Sequence, residues 1–168
     1  MPIDVTQYSA DAFNGLHDFP EALGRFDGIN GDDLANTTMK DLFRRHGVES
    51  IFGLQLLHKH NTLAHGERLT DVRGTSNPLT FDVGGKPSIW GFDSGTNQVV
   101  PLEFSIDAED IEWQAPAIQQ FLHAFQATLL AEGAFRVLGL AQYPGDGYPG
   151  RVEFTVGRSN VNLRPDEP

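Results

Sequence analysis

Hydrophobic residues follow two different periods along this chain, and each period predicts its own kind of secondary structure. Between residues 116 and 132 they recur about every 3.6 positions, the spacing of one face of an amphipathic helix. The residues on this face are Ile118, Phe121, Leu122, Phe125 and Leu129. Gly133 suits the end of such a helix. We therefore predict one long helix over residues 116–132.

Elsewhere hydrophobic and polar positions alternate, which is typical of strands with one buried face. The predicted strands cover residues 50–58, 68–73, 79–83, 86–92, 98–105, 134–142 and 151–156. Pro101 implies that its strand lies at an edge or carries a β-bulge. A run of strands with a segregated helix favours an α+β fold. We expect a curved, mostly antiparallel sheet of about seven strands with the 116–132 helix packed on it, short N-terminal helices, and a pocket between sheet and helix.

The N-terminal arm, residues 1–36, has an irregular pattern with short helices expected at 10–16 and 20–26 and a loop at 28–33. It is too rich in apolar residues to be a free tail. We expect it to lie across the domain or across a second subunit, and the latter arrangement predicts a homodimer.

The remaining boundaries follow from length and local signals. A chain of 168 residues is predicted to form a single domain, 1–168. Asn36 or Thr37 is expected to cap a helix that ends at Arg45, where the basic residues complement the helix dipole. Residues 159–168 are polar and are expected to form a loose tail.

Charge and composition narrow the class of partner. The net charge is −11, from 23 acidic and 12 basic residues, which argues against nucleic-acid and anionic membrane partners. The absence of cysteine excludes disulfides and thiolate metal sites. The N-terminus lacks the pattern of a signal peptide, so we expect an acidic, soluble, intracellular protein of the cytoplasm.

The segment 52–67 holds the strongest candidate for chemistry. If 52–60 is a strand, His58 and His60 point to the same face and can offer nitrogens to one divalent ion such as Zn, Fe, Mn or Ni. Glu67 is the nearest candidate for a third ligand, and the alternatives are His65, Asp71, Glu103 and His123. The predicted metal set is therefore His58, His60 and Glu67. A structural or solvent-exposed role for these histidines is the competing interpretation.

The same histidines could work without a metal. A neutral imidazole beside a carboxylate transfers protons near neutral pH, so His58, His60 and Glu103 form a predicted acid–base set. Glu103 alternates with Pro101 and Ser105 on its strand, and the competing interpretation is an exposed glutamate. The 143–150 segment is interpreted as a wide turn or as a tyrosine-bearing lid over a pocket.

His58-Lys59-His60 resembles the start of the first cupin motif, in which His-x-His precedes a glutamate. Gly53 matches the leading glycine, whereas the gap to Glu67 is wider than that family shows. The second cupin motif is missing, because the chain has no histidine after His123. The resemblance covers only residues 53–67, so we do not extend it to the fold.

Two hypotheses for function follow. The first is a small-molecule enzyme or ligand-binding protein, with His58 and His60 at the polar end of a sheet–helix pocket and a divalent metal as the candidate cofactor. The second is a non-enzymatic acidic protein that binds a protein partner or oligomerises.

Overall fold

The fold is α+β, as the sequence predicts. The computed structural model describes residues 2–80 and 84–143, the backbone of 152–156 and 159–163, and Arg158. The strands are β1 Phe52–Leu56, β2 Glu67–Val72, β3 Thr75–Thr80, β4 Lys86–Asp93, β5 Gln98–Ser105, β6 Leu138–Gln142, β7 Val152–Val156 and β8 Ser159–Leu163. The helices are α1 Ala10–Asn14, α2 Phe19–Gly28, α3 Gly31–Leu34, the π-helical segment Ala35–Met39, α4 Lys40–Arg45 and α5 Pro116–Ala131.

All of the described strands belong to one mixed sheet in the order β1-β6-β4-β5-β2-β3-β8-β7. Six strands lie between Phe52 and Gln142, and the backbone of β7 and β8 extends the sheet to eight. Neighbouring strands are antiparallel except β2 and β5, which run parallel. The predicted hairpin is the β4–β5 pair, and its register shifts beside Trp90, opposite Pro101. The proline therefore marks a bulge.

One face of the sheet is covered by α5. The apolar stripe of this helix is buried against Phe52, Trp90, Phe92 and Leu140 of the strands. Aromatic rings fill much of this core: Phe52 stacks on Phe121 at 5.8 Å and lies edge-on to Trp90 at 6.0 Å. These aromatic side chains are thus part of the core between the sheet and α5.

The N-terminal arm packs on its own domain. Val99 of β5 exchanges backbone hydrogen bonds with Asp4 and Thr6, so the arm pairs with the part of β5 that β2 does not reach. Farther along, Phe13 of α1 is buried with Leu63 and Leu69 in a second apolar cluster. The arm therefore adds backbone pairing to β5 and a separate apolar cluster that includes Leu69 of β2.

The structure corrects the predicted start of the 36–45 helix. Residues 31–45 are helical throughout, so the predicted 28–33 loop ends at Asn30, whose φ of 54° lies in the left-handed region. Asn36 and Thr37 lie inside the helix, where their side chains donate to the carbonyls of Asp32 and Asp33. They do not cap its N-terminus. The local signals for a loop are outweighed because Leu34, Met39 and Phe43 bury against α5.

Other boundaries differ as well. β3 covers residues 75–80 instead of the predicted 79–83, since residues 75–80 pair with β2, and β6 begins at Leu138 instead of residue 134. The first strand ends at Leu56, two residues before the predicted end, because the chain leaves β6 after Leu57 donates to the carbonyl of Val137. The predicted loose tail is also wrong for residues 159–163, which form β8 between β3 and β7. The alternation of Val161 and Leu163 with asparagines is a strand pattern.

Candidate functional site

A cavity of about 510 Å³ lies beside the edge strand β1, where the helical segment 31–45 faces it. It is lined by Ala35, Met39, Lys40, Phe43, Arg44, Glu49, Leu54 and Tyr143. Its interior is apolar, because Met39 is 1% exposed, Phe43 is 7% exposed and Leu54 is partly buried. Its charged residues, Lys40, Arg44 and Glu49, are exposed at the mouth.

The π-helical segment shapes one wall of this cavity. Ala35 and Met39 are its first and last residues, and both line the cavity. A π turn is wider than an α turn and is found frequently at functional sites. Asn36 and Thr37 bond to carbonyls four residues back, which competes with regular helical pairing at this point.

The turn after α4 and the end of β6 complete the cavity. Gly47, with a φ of 66°, ends the helix and turns the chain toward β1, which places Glu49 at the mouth. Tyr143 follows β6, and its backbone N–H donates to the carbonyl of Ile51 at 2.9 Å. This bond places the first residue of the predicted tyrosine-bearing loop at the cavity; residues 144–150 of that loop lie outside the described residues.

Neither His58 nor His60 lines this cavity. The two rings lie together elsewhere, with centroids 5.1 Å apart and planes at 86°. Although β1 has ended, the chain stays extended here, since Lys59 forms a parallel bridge with Asp18 and donates its N–H to His17. Phe19 covers the pair, with its centroid 5.1 Å from His58 and 5.9 Å from His60.

The tautomer of His58 is fixed by a backbone carbonyl two residues earlier in the chain. His58 Nδ1 lies 2.8 Å from the carbonyl oxygen of Leu56. A carbonyl can only accept, so Nδ1 carries the proton and Nε2 of the neutral ring keeps its lone pair. Donation of one ring N–H to a carbonyl is the usual arrangement of a metal-binding histidine.

Glu67, the predicted third ligand, is engaged by other groups. Its carboxylate accepts from the Arg158 guanidinium at 2.5 Å and from the backbone N–H of Ala64 at 2.7 Å. These two bonds, the Arg158 bond first, lower the pKa of Glu67 below its usual value. The group is therefore held as an ion-paired carboxylate.

Tyr8 packs against the second apolar cluster and bonds to the backbone of Glu67. Its hydroxyl donates to the carbonyl of Glu67 at 2.8 Å, and its ring meets Phe104 edge-on at 5.1 Å. Burial raises the pKa of Tyr8 to about 12; the charge of Arg68 opposes this rise, and the charges of Glu67 and Glu103 add to it. The Arg68 guanidinium also lies 4.3 Å from the Phe104 ring centre.

The other predicted ligands are scattered. Asp71 accepts from the N–H of Gly74 in the β2–β3 turn, His65 is exposed in a loop, and His123 is exposed on α5. Within residues 2–80 and 84–143, no three histidine, aspartate or glutamate side chains are placed to share a metal ion. The described side chains thus bring His58 and His60 together without Glu67 or Glu103 as a third ligand.

Comparisons with models of known protein families, with curated proteins and with solved structures found no match. Within the described residues, none of the helices combines the length and the apolar character needed to cross a bilayer. Function is therefore inferred from the geometry of the cavity and of the His58–His60 pair.

Sequence patterns alone did not single out the cavity residues. Met39 and Phe43 have the spacing of ordinary core positions, and Arg44 has a sufficient explanation as a helix-end charge. A sequence signal does exist: Lys40 and Arg44 lie one helical turn apart, each next in sequence to one of the apolar cavity residues.

Proposed function

We propose that this protein binds a small molecule in the cavity between β1 and the helical segment 31–45. The observation that carries the proposal is a cavity of about 510 Å³ whose interior is apolar and whose mouth holds a few charged groups. Ligand sites in proteins typically measure ~300–1,000 Å³ and combine an apolar lining with a small number of polar groups.

The position of the cavity also supports binding. Its walls come from a helix and a strand, and its deepest side chains, Met39 and Phe43, are held by the α5 core. Phe43 lies edge-on to Phe121 at 5.0 Å. A site on rigid elements is formed before the ligand arrives, which lowers the entropic cost of binding.

The proposal is tested by NMR of protein labelled with ¹³C at its methionine methyl groups. The chain has two methionines, Met1 and Met39, so the spectrum contains one signal from the cavity and one from the N-terminus as an internal control. Titration with eight-carbon probes, octanoate and its neutral analogue octanamide, should move the Met39 signal to saturation and leave Met1 unchanged. A Met39 signal that stays in place with both probes would refute the proposal.

A second candidate function is capture of a divalent transition metal by the His58–His60 pair. The fixed tautomer of His58 and the contact between the two rings favour it. It ranks second because His60 Nε2 is buried and the described residues supply no third ligand. A metal there would draw its remaining ligands from water or another molecule.

Calorimetric titration with Zn²⁺ or Ni²⁺ tests this second candidate. His58→Ala and His60→Ala should each weaken binding by about tenfold or more, whereas His123→Ala, which removes an exposed histidine on α5, should not. Equal affinities for all variants would assign any binding to surface histidines in general. The remaining hypothesis, an acidic protein that binds a basic partner or its own copy, predicts neither result.

A further inference from the structure

We infer that the ligand of this cavity is a monoanionic carboxylate with an apolar chain or ring, held at its head by Lys40 and Arg44. The inference deepens the proposed function and rests on it. The charges at the mouth carry this inference, because the cavity volume alone does not explain them.

Lys40 and Arg44 are unusual among the basic residues of this chain. Most described basic side chains have a partner: Arg25 pairs with Glu21, Arg45 with Asp41, Lys86 with Asp110 and Arg158 with Glu67. Lys59, Arg68 and Arg136 donate to backbone carbonyls. Within the described residues, Lys40, Arg44 and Arg73 have neither kind of partner, and two of these three line the cavity.

The overall charge makes unpaired cations at one place more informative. With 23 acidic and 12 basic residues, the chain has more carboxylates than it needs to pair every basic side chain. Even so, Glu49 at the same mouth forms no ion pair with Lys40 or Arg44. The helix dipole accounts for Arg44, near the end of α4, but not for Lys40 in the middle of the continuous helix.

The spacing of the two cations suits one carboxylate. Residues four apart on a helix have Cβ atoms about 6 Å from each other, close enough for two long side chains to reach one head group. The guanidinium of Arg44 can bind both oxygens of a carboxylate, and the ammonium of Lys40 can add a third hydrogen bond. Met39 and Phe43, each one residue before a cation, then face the apolar part of the ligand.

Glu49 sets the preferred ligand charge. Two cations and one carboxylate give the mouth a net charge of about +1, which a monoanion neutralises and a phosphate dianion exceeds. Glu49 also repels a second negative charge at the head group. These charges favour a carboxylate over a phosphate monoester.

The test compares three eight-carbon probes by the Met39 methyl signal: octanoate, the neutral octanamide and the dianionic octyl phosphate. We expect octanoate to bind about tenfold more tightly than either of the others. Lys40→Gln and Arg44→Gln should each weaken octanoate about tenfold and leave octanamide unchanged. Arg73→Gln, which removes the third unpaired cation from the β2–β3 turn, is the matched control and should change nothing.

Salt provides an independent readout. Raising the ionic strength from about 0.05 M to about 0.5 M should weaken octanoate and spare octanamide. Equal binding of octanoate and octanamide, or Gln variants with wild-type affinity for octanoate, would overturn the inference while leaving the cavity a binding site. Tightest binding by octyl phosphate would overturn the choice of a monoanion. A Met39 signal insensitive to every probe would overturn the proposed function itself.

Discussion

Gly139→Ala should destabilise the fold strongly, because the added methyl group would have no space. A Cβ at Gly139 would lie 2.2 Å from the backbone oxygen of Trp90 and 2.7 Å from Cδ2 of Leu57. Ordinary contacts begin near 3.4 Å, so the two strands would have to separate by about 1.2 Å. A backbone oxygen cannot rotate away as a side chain can.

The loss of stability can be estimated from the contacts between β4 and β6 that such a separation would break. β6 lies between β1 and β4, and its pairing with β4 consists of Ile89 with Ala141 and Trp90 with Leu140. Trp90 and Leu140 are core residues at 2% and 0% exposure. Overpacking of a core typically costs about 1–3 kcal/mol, and we expect about 3 kcal/mol here. For a chain of this size the melting temperature should fall by about 6–12 °C.

Gly53→Ala is the matched control. Gly53 lies in β1, which pairs with β6, and a Cβ there would have nothing within 4 Å. Its effect on the free energy of unfolding should stay within about 1 kcal/mol. Thermal and urea unfolding followed by circular dichroism measure both variants. If the two melting temperatures agree within error, the close packing of β4 against β6 is wrong.

Three further perturbations test other parts of the structure. Gly31→Ala places a Cβ 2.2 Å from the Phe26 ring and should lower the free energy of unfolding by about 1–3 kcal/mol. Its control, Gly24→Ala in open space on α2, should raise that free energy by up to ~1 kcal/mol, and equal melting temperatures for the two variants would contradict this. The pKa of Glu67 is lowered by its Arg158 bond, so its stabilisation is present above the ordinary pKa of 4.5 and is lost as pH falls through the folded value. Glu67→Gln should therefore lower the melting temperature at neutral pH and not in acid, and a deficit that persists in acid would argue against the ion pair. The pKa of Tyr8 is raised to about 12, so its stabilisation is complete below pH 10.0 and is lost between pH 10.0 and about pH 12. Tyr8→Phe should therefore reduce the loss of stability in this alkaline range, and an unchanged slope of stability against pH would contradict the burial of Tyr8.

Periodic segments could be predicted from sequence because their packing uses one repeating face. Helix α5 and the β4–β5 hairpin lie within a residue or two of their predicted bounds. The start of the 31–45 helix could not, because Gly31 and the two aspartates after it favour a loop locally. Its stability comes from contacts with α5, far away in sequence, which a local pattern does not contain.

The candidate sites also differ in how far the sequence predicts them. The spacing of His58 and His60 predicted that they share a face, and their rings do lie together because the chain stays extended past β1. The cavity could not be predicted, because its walls combine Met39 with Leu54 and Tyr143 from separate segments. Which basic side chains lack an ion-pair partner also depends on tertiary structure. Arg158, for example, pairs with Glu67, which lies 91 residues away in the sequence.

The most direct test of the binding function is a crystal structure of the protein grown with octanoate. We expect the alkyl chain to lie between Met39, Phe43 and Leu54, with the carboxylate within hydrogen-bond distance of Lys40 Nζ and the Arg44 guanidinium. Octanoate bound only at another place, or a cavity filled by its own side chains at saturating octanoate, would contradict the account.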